Sequence, residues 1–199
     1  MDRRVRQEPN ETGRRAGRAR RGFTLLELIV VLIMVGIIAA MAVPRLNYEK
    51  YRADAAMRTV RTILQGAQRN AIMRQTNVVV AFDVPNKRMR VVEDANNNCT
   101  YDAGERSTWR PLEDGARFVI PAPGYGSTPA SAVSGSNLCM MLGLPAVQFL
   151  RDGAASTGID VYLTSSRGAA VDNRLVRVTM ATGRTESFRY NGSTWTRLN

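Results

Sequence analysis

The feature that most constrains this chain is one apolar run near its start, Phe23–Val43, broken only by Thr24, Glu27 and Gly36. As a helix rising about 1.5 Å per residue, such a run reaches roughly 30 Å, the thickness of a bilayer's hydrocarbon core. No other stretch of the sequence approaches it. The run is expected to span a membrane once, and the rest of the 199 residues suffices for one ordinary domain.

The run also explains much of the charge. The chain carries a formal +11, which at first suggests a nucleic-acid partner. Residues 1–22 hold eight arginines against Asp2, Glu8 and Glu11, a net of +5, so +6 remains for the other 177 residues. Positive charge ahead of an apolar span marks the cytoplasmic side, which sends the bulk of the chain across the membrane. Residues 1–22 have no apolar periodicity and read as a processing segment rather than as part of a fold. An ordinary secretory signal is cut after its apolar stretch, whereas here the distinctive junction, Arg21-Gly22-Phe23-Thr24, precedes it, so the helix stays on the mature chain.

Histidine is absent, which leaves no Ser-His-Asp triad, no Cys-His pair and no ordinary zinc site. Asp and Glu are scattered without a recognisable catalytic pair, and an enzyme is not expected. The two cysteines, Cys99 and Cys139, favour one disulfide in an oxidising compartment. Closing a loop of about forty residues, it would contribute about 3–4 kcal/mol in the chain-entropy model.

Pro44 ends or kinks the apolar helix, and a second helical pattern runs over 44–75. Its apolar residues Met57, Val60, Ile63, Leu64, Ala67, Ala71 and Ile72 recur three or four apart, the mark of an amphipathic helix covering a sheet. From residue 76 to 199 the pattern turns to strands. Asn77–Val84 and Arg88–Val92 flank a turn, and Arg117–Ile120 is short. Ala146–Leu150, Ile159–Leu163, Arg174–Met180, Thr185–Tyr190 and Thr194–Leu198 follow, the last pair joined at Asn191-Gly192. Glu93–Ser107 reads as a polar loop and 121–145 as a long surface excursion rich in Pro, Gly, Ser and Ala. The expectation is α+β: a long N-terminal helix followed by about seven antiparallel strands.

The segment Gly22-Phe23-Thr24-Leu25-Leu26-Glu27-Leu28, with a basic leader before it and an apolar helix after it, resembles the type IV prepilin processing motif. The resemblance implies cleavage after Gly22 by a membrane aspartic prepilin peptidase and N-methylation of the new Phe23 amine. It places Glu27 fifth and Pro44 twenty-second in the mature chain, the latter where pilin helices commonly kink. A charged residue inside an apolar span costs about 2.5–3.5 kcal/mol when central and needs a partner. The cationic Phe23 amine of a neighbouring subunit would supply one, setting the register of a filament. Gly36 has the weaker claim of permitting close helix approach.

Farther on, Val147-Gln148-Phe149-Leu150-Arg151-Asp152-Gly153, Gly158, Arg177-Val178 and Gly183-Arg184 look like the FimT/GspH group of minor pilins and pseudopilins. That group implies a pilin-like fold with two small packed β-sheets over the helix end. It also implies a place at or near the tip of a type II secretion pseudopilus or a type IV pilus, beside other major and minor (pseudo)pilins. The localisation implied is the bacterial inner membrane, single-pass and in contact with its lipid, with the C-terminal domain in the periplasm. The alternative is a tip module that binds DNA or a secreted substrate.

Two secondary sites arise. Asp94, Asn96, Asn98, Thr100 (by its carbonyl), Asp102 and Glu105 have the spacing of a calcium loop, but Cys99 stands where such a loop needs glycine. Asn and Asp equally make self-hydrogen-bonded turns, the favoured reading, so no cofactor is expected. Near the C-terminus, Arg184, Arg189 and Arg197, with Arg174, Arg177, Tyr190 and Trp195, offer phosphate contacts and stacking for DNA. Against that, arginines alternating along strands usually mark a solvated face.

Overall fold

A computed structural model describes residues 22–42, 48–121 and 129–198, without the side chains of Met41 and Ala42. It divides into two units between Leu46 and Asn47. The first holds helix α1, Leu25–Ala42. The second holds helix α2, Tyr48–Arg74, and all the strands. Pro44, the expected kink, lies outside the described residues.

Helix α2 buries Ala53, Ala56, Met57, Val60, Leu64, Ala67 and Ala71, a stripe at helical spacing that matches most of the expected face. Ile72 departs from it. It is exposed, its side chain lying against the turn at Gly153 rather than in the core. Gln75 closes the helix in the left-handed region at φ 53°, its amide donating to the Ile72 carbonyl at 2.8 Å.

Two antiparallel sheets follow. Strands β1 (Asn77–Asp83), β2 (Arg88–Asp94), β3 (Ser107–Pro111), β6 (Cys139–Met141) and β7 (Leu144–Phe149) form the first, in the order β3-β2-β1-β7-β6. The second comprises β4 (Ala116–Phe118), β8 (Ile159–Ser165), β9 (Arg174–Val178), β10 (Thr185–Tyr190) and β11 (Trp195–Leu198). Its order is β11-β10-β9-β8-β4, with β5 (Val133–Gly135) also paired to β8. Among the described residues eleven strands thus stand where about seven were expected. The extra ones are short: β5 and β6 lie in the stretch read as an excursion, and their Ser, Gly and Met residues give no period-2 signal.

One core joins α2 to both sheets, through Val60 and Leu64 of the helix, Val78, Val80 and Phe82 of β1, and Val161, Leu163 and Val176. Strand β1 is buried on both faces, which is why its sequence reads as a near-continuous apolar run. Its second face, Val79 and Ala81, meets Val92, Met141 and Ala146 in a smaller cluster that includes Cys99, Tyr101 and Cys139. The Cys99–Cys139 disulfide pins the 94–105 loop and β6 over that cluster, with Cα atoms 6.4 Å apart. Reducing it, or replacing both cysteines by serine, is expected to lower stability by about 3–4 kcal/mol, read from denaturant unfolding of the full chain in detergent.

The turns at Gly153 and Gly183 meet over α2. Gln68 donates from its one amide nitrogen to the carbonyls of Gly153, at 2.7 Å, and Thr182, at 2.8 Å. Gly183 sits at φ 60°, and a Cβ there would collide with the Gly153 carbonyl. The glycines of the Arg151-Asp152-Gly153 and Gly183-Arg184 phrases are therefore packing requirements of one node.

Candidate functional site

At the N-terminal unit, Gly22 and Phe23 are exposed, with Phe23 at 81%. Thr24 caps α1: its Oγ1 accepts the Glu27 backbone N–H at 3.2 Å. Thr24-Leu25-Leu26-Glu27 has the spacing of a capping box, in which a glutamate three residues after the cap also favours the helix start. Sequence reading did not give Glu27 this role at the start of its own helix. The Thr-x-x-Glu spacing was the available signal for it.

The described side chains of α1 are exposed on every face from Leu25 to Ala40. A helix apolar all round must be covered by lipid or by other chains. Among the described residues no helix is long and apolar enough to cross a membrane. The described helix has 18 residues, about 27 Å at 1.5 Å per residue, and the remainder of the apolar run falls beyond it.

The 94–105 loop is organised by its own side chains. Asp94, fully buried, accepts the N–H groups of Asn98 and Cys99 and the Gln148 amide. Glu105 accepts the N–H groups of Ala95 and Asp102. Asp102 accepts the amides of Asn96 and Asn98, both at 2.7 Å, which hold its carboxyl below the usual value. Asn98 in turn accepts the Thr100 N–H. Cys99 adopts φ 57°, the left-handed conformation for which a calcium loop uses glycine. The nominated side-chain oxygens, those of Asp94, Asn96, Asn98, Asp102 and Glu105, thus accept from the loop's own donors. Among the described residues no group of three His, Cys, Asp or Glu side chains is placed to hold a metal. Calorimetric titration of the full chain with calcium is expected to give no binding heat; a saturable heat lost in Asp102→Ala would make the loop a cation site.

The C-terminal arginines each find a carboxylate. Arg184 and Arg197 approach Glu186 at 3.5 and 2.8 Å, Arg189 reaches Asp54 at 2.9 Å, and Arg177 forks onto Asp160 with two bonds of 2.7 Å. Tyr190 and Trp195 face each other across β10 and β11 with ring centroids 5.4 Å apart.

Arg174 overturns the solvated-face reading at its position. Its side chain is 0% exposed and meets Asp54 of α2 at 2.6 Å, while its Nη1 donates to the Val171 and Asn173 carbonyls. Strand parity carried the signal: Arg174 alternates with the buried Val176 and Val178, whereas Arg177 lies on the opposite face.

Residues 17–43 match the Prokaryotic N-terminal methylation motif, and residues 56–183 match the family described as Type II transport protein GspH. Pilin-like protein PilA1 of Thermus thermophilus is 36% identical over 87 residues, covering 43% of this chain and 56% of that protein. Type II secretion system core protein G of Escherichia coli is 48% identical over 40 residues, 20% of this chain and 28% of that protein. The chain therefore spans little more than half of one curated relative and under a third of the other. Among solved structures, the minor pseudopilin EpsH of Vibrio cholerae aligns with TM-score 0.44 at 15% identity, over 74% of this chain and 96% of that one. The type IV minor pilin FimU of Pseudomonas aeruginosa aligns with TM-score 0.44 at 13% identity, over 72% and 91%.

Proposed function

Since the chain belongs to the Type II transport protein GspH family, we propose that it is a minor pseudopilin or pilin subunit, processed by prepilin peptidase and assembled at or near a filament tip. The filament is a type II secretion pseudopilus or a type IV pilus, and its other subunits are the partners. The observation that carries this reading is the N-terminal methylation motif over residues 17–43, a span that contains Gly22 and Phe23 and runs into an apolar helix exposed on every face. Before assembly that helix, with the residues up to Val43, spans the inner membrane once and leaves the β domain in the periplasm. Within the filament, the same apolar surface packs against other subunits' helices. The subunit acts by assembly and not by catalysis.

DNA capture by the C-terminal strands is the less favoured reading, because Arg184, Arg189 and Arg197 each already face a carboxylate.

The test is the intact mass of the chain purified from cells with and without prepilin peptidase. With the enzyme, the mature protein is expected to begin at Phe23 and to weigh one methyl group more than its sequence. A chain that keeps its leader and still enters filaments would overturn the processing step.

A further inference from the structure

Between α2 and the outer strand of the five-stranded sheet lies a groove of about 540 Å³. Ile63 of the helix, Val78 of β1 and Val91 of β2 give it an apolar floor, and Arg58, Arg106 and Arg110 stand around it. The arrangement follows from strand register. Thr108 pairs with Val91 and Arg110 with Met89, so β3 presents Thr108 and Arg110 on the face turned toward the helix. Arg106 just precedes β3, where its carbonyl accepts the Glu93 N–H.

Two properties set the groove apart. The first is charge. Among the described residues nine arginines, those of the C-terminal strands included, have carboxylate partners. Arg58, Arg106 and Arg110 form no ion pair among the described residues, and Glu93, the acidic residue of the lining, is engaged by Arg74 at 3.2 Å. The second is the backbone. Among the described residues strand β3 pairs with β2 alone, and Thr108, Trp109 and Arg110 are exposed, so its outer edge offers N–H and C=O groups for pairing.

We propose that this groove receives an extended acidic segment of a neighbouring filament subunit, added as a strand along β3. Its carboxylates, at alternate positions, all turn into the groove onto Arg58, Arg106 and Arg110, and the side chains between them turn to the opposite face of the sheet. Strand addition draws affinity from main-chain hydrogen bonds and specificity from alternate side chains, and this site supplies both kinds of contact. Guanidinium forks suit carboxylates. A nucleic acid fits less well, since among the described residues no aromatic side chain lines the groove for a base to stack on. A second copy fits less well too, because the chain is itself strongly basic. The source of the segment rests on the filament reading above; the chemistry of the groove does not.

The test uses the full chain in detergent micelles and a fluorescein-labelled peptide of alternating Glu and Val, followed by anisotropy. Saturable binding that weakens with salt is expected. Joint replacement Arg58→Glu and Arg110→Glu should weaken it at least about tenfold. The same charge change at two exposed sites elsewhere, Lys87→Glu with Arg151→Glu, should leave it unchanged, and unfolding temperatures confirm that the variants are folded. A peptide N-methylated at alternate residues should lose binding in one register and keep it in the other. Equal binding by the groove variant, equal binding in both registers, or stronger binding by a single-stranded oligonucleotide that displaces the peptide would each overturn the assignment.

The source is read in cells, with a photo-crosslinking residue at Thr108. An adduct mapped to an acidic segment of another filament subunit supports it. Adducts to no subunit, in cells whose filaments contain the chain, overturn the neighbouring source and leave the filament reading standing. Absence of the chain from filaments overturns the filament reading instead.

Discussion

Replacing Asp54 by alanine is expected to destabilise the β domain by about 3–5 kcal/mol, the cost of leaving a buried charge without its partner. Asp54 receives Arg174 at 2.6 Å and Arg189 at 2.9 Å, tying α2 to β9 and β10. The two arginines are not equivalent. Arg189 is 46% exposed and can return to water, so its pair is worth at most about 1 kcal/mol. Arg174 is fully buried, and its Nη2 has no partner among the described residues even with Asp54 in place. Nearly all the loss therefore comes from Arg174.

Arg174→Met separates the causes, because it removes the buried charge along with the pair. It should cost clearly less than Asp54→Ala, and the double variant should recover part of the single Asp54 loss. For a domain of this size, about 3–5 kcal/mol corresponds to a fall of roughly 10 °C in unfolding temperature. Unfolding of the full chain followed by circular dichroism checks the order. An Asp54→Ala chain as stable as the unmodified one would show that the guanidinium finds other acceptors.

That same pair marks where the sequence was silent. The buried face of α2 was legible because seven apolar residues recur at one period, and β1 because its run is apolar on both faces. The hairpin at Asn191 was legible too: its Oδ1 accepts the Ser193 and Thr194 N–H groups, the self-bonded turn that Asn favours. Strands β5 and β6 were not legible. Each has three residues, and what holds them is pairing to β8 and β7 and, for β6, the disulfide, none of which leaves a local pattern. A cluster of arginines was legible as charge but not as partnership. Whether a guanidinium is free or spent depends on which carboxylate the fold brings to it, and Asp54 lies 120 residues from Arg174. The reading therefore turned to the C-terminal strands, whose arginines are paired, and passed over Arg58, Arg106 and Arg110.

Glu27→Gln is expected to abolish incorporation into filaments while leaving cleavage after Gly22 intact. Two roles compete for this residue. As the third residue after the Thr24 cap, it has the spacing of a capping box, a position that glutamine serves nearly as well as glutamate. As the partner of a cationic Phe23 amine on a neighbouring subunit, it needs its charge, which glutamine lacks. The substitution keeps the first role and removes the second. Thr24→Ala does the reverse, costing about 1 kcal/mol of helix start and sparing the carboxylate, so that chain should still assemble. The amine exists only after processing, which supplies a third comparison: replacing Gly22 by a bulky residue blocks the cut and should stop assembly with Glu27 untouched. Filament incorporation and mature mass, measured together, separate the cases. Normal assembly of Glu27→Gln beside failure of Thr24→Ala would return Glu27 to the local capping role. The expected pattern, loss with Gln and tolerance of Ala at Thr24, makes cleavage itself the step that creates the assembly contact.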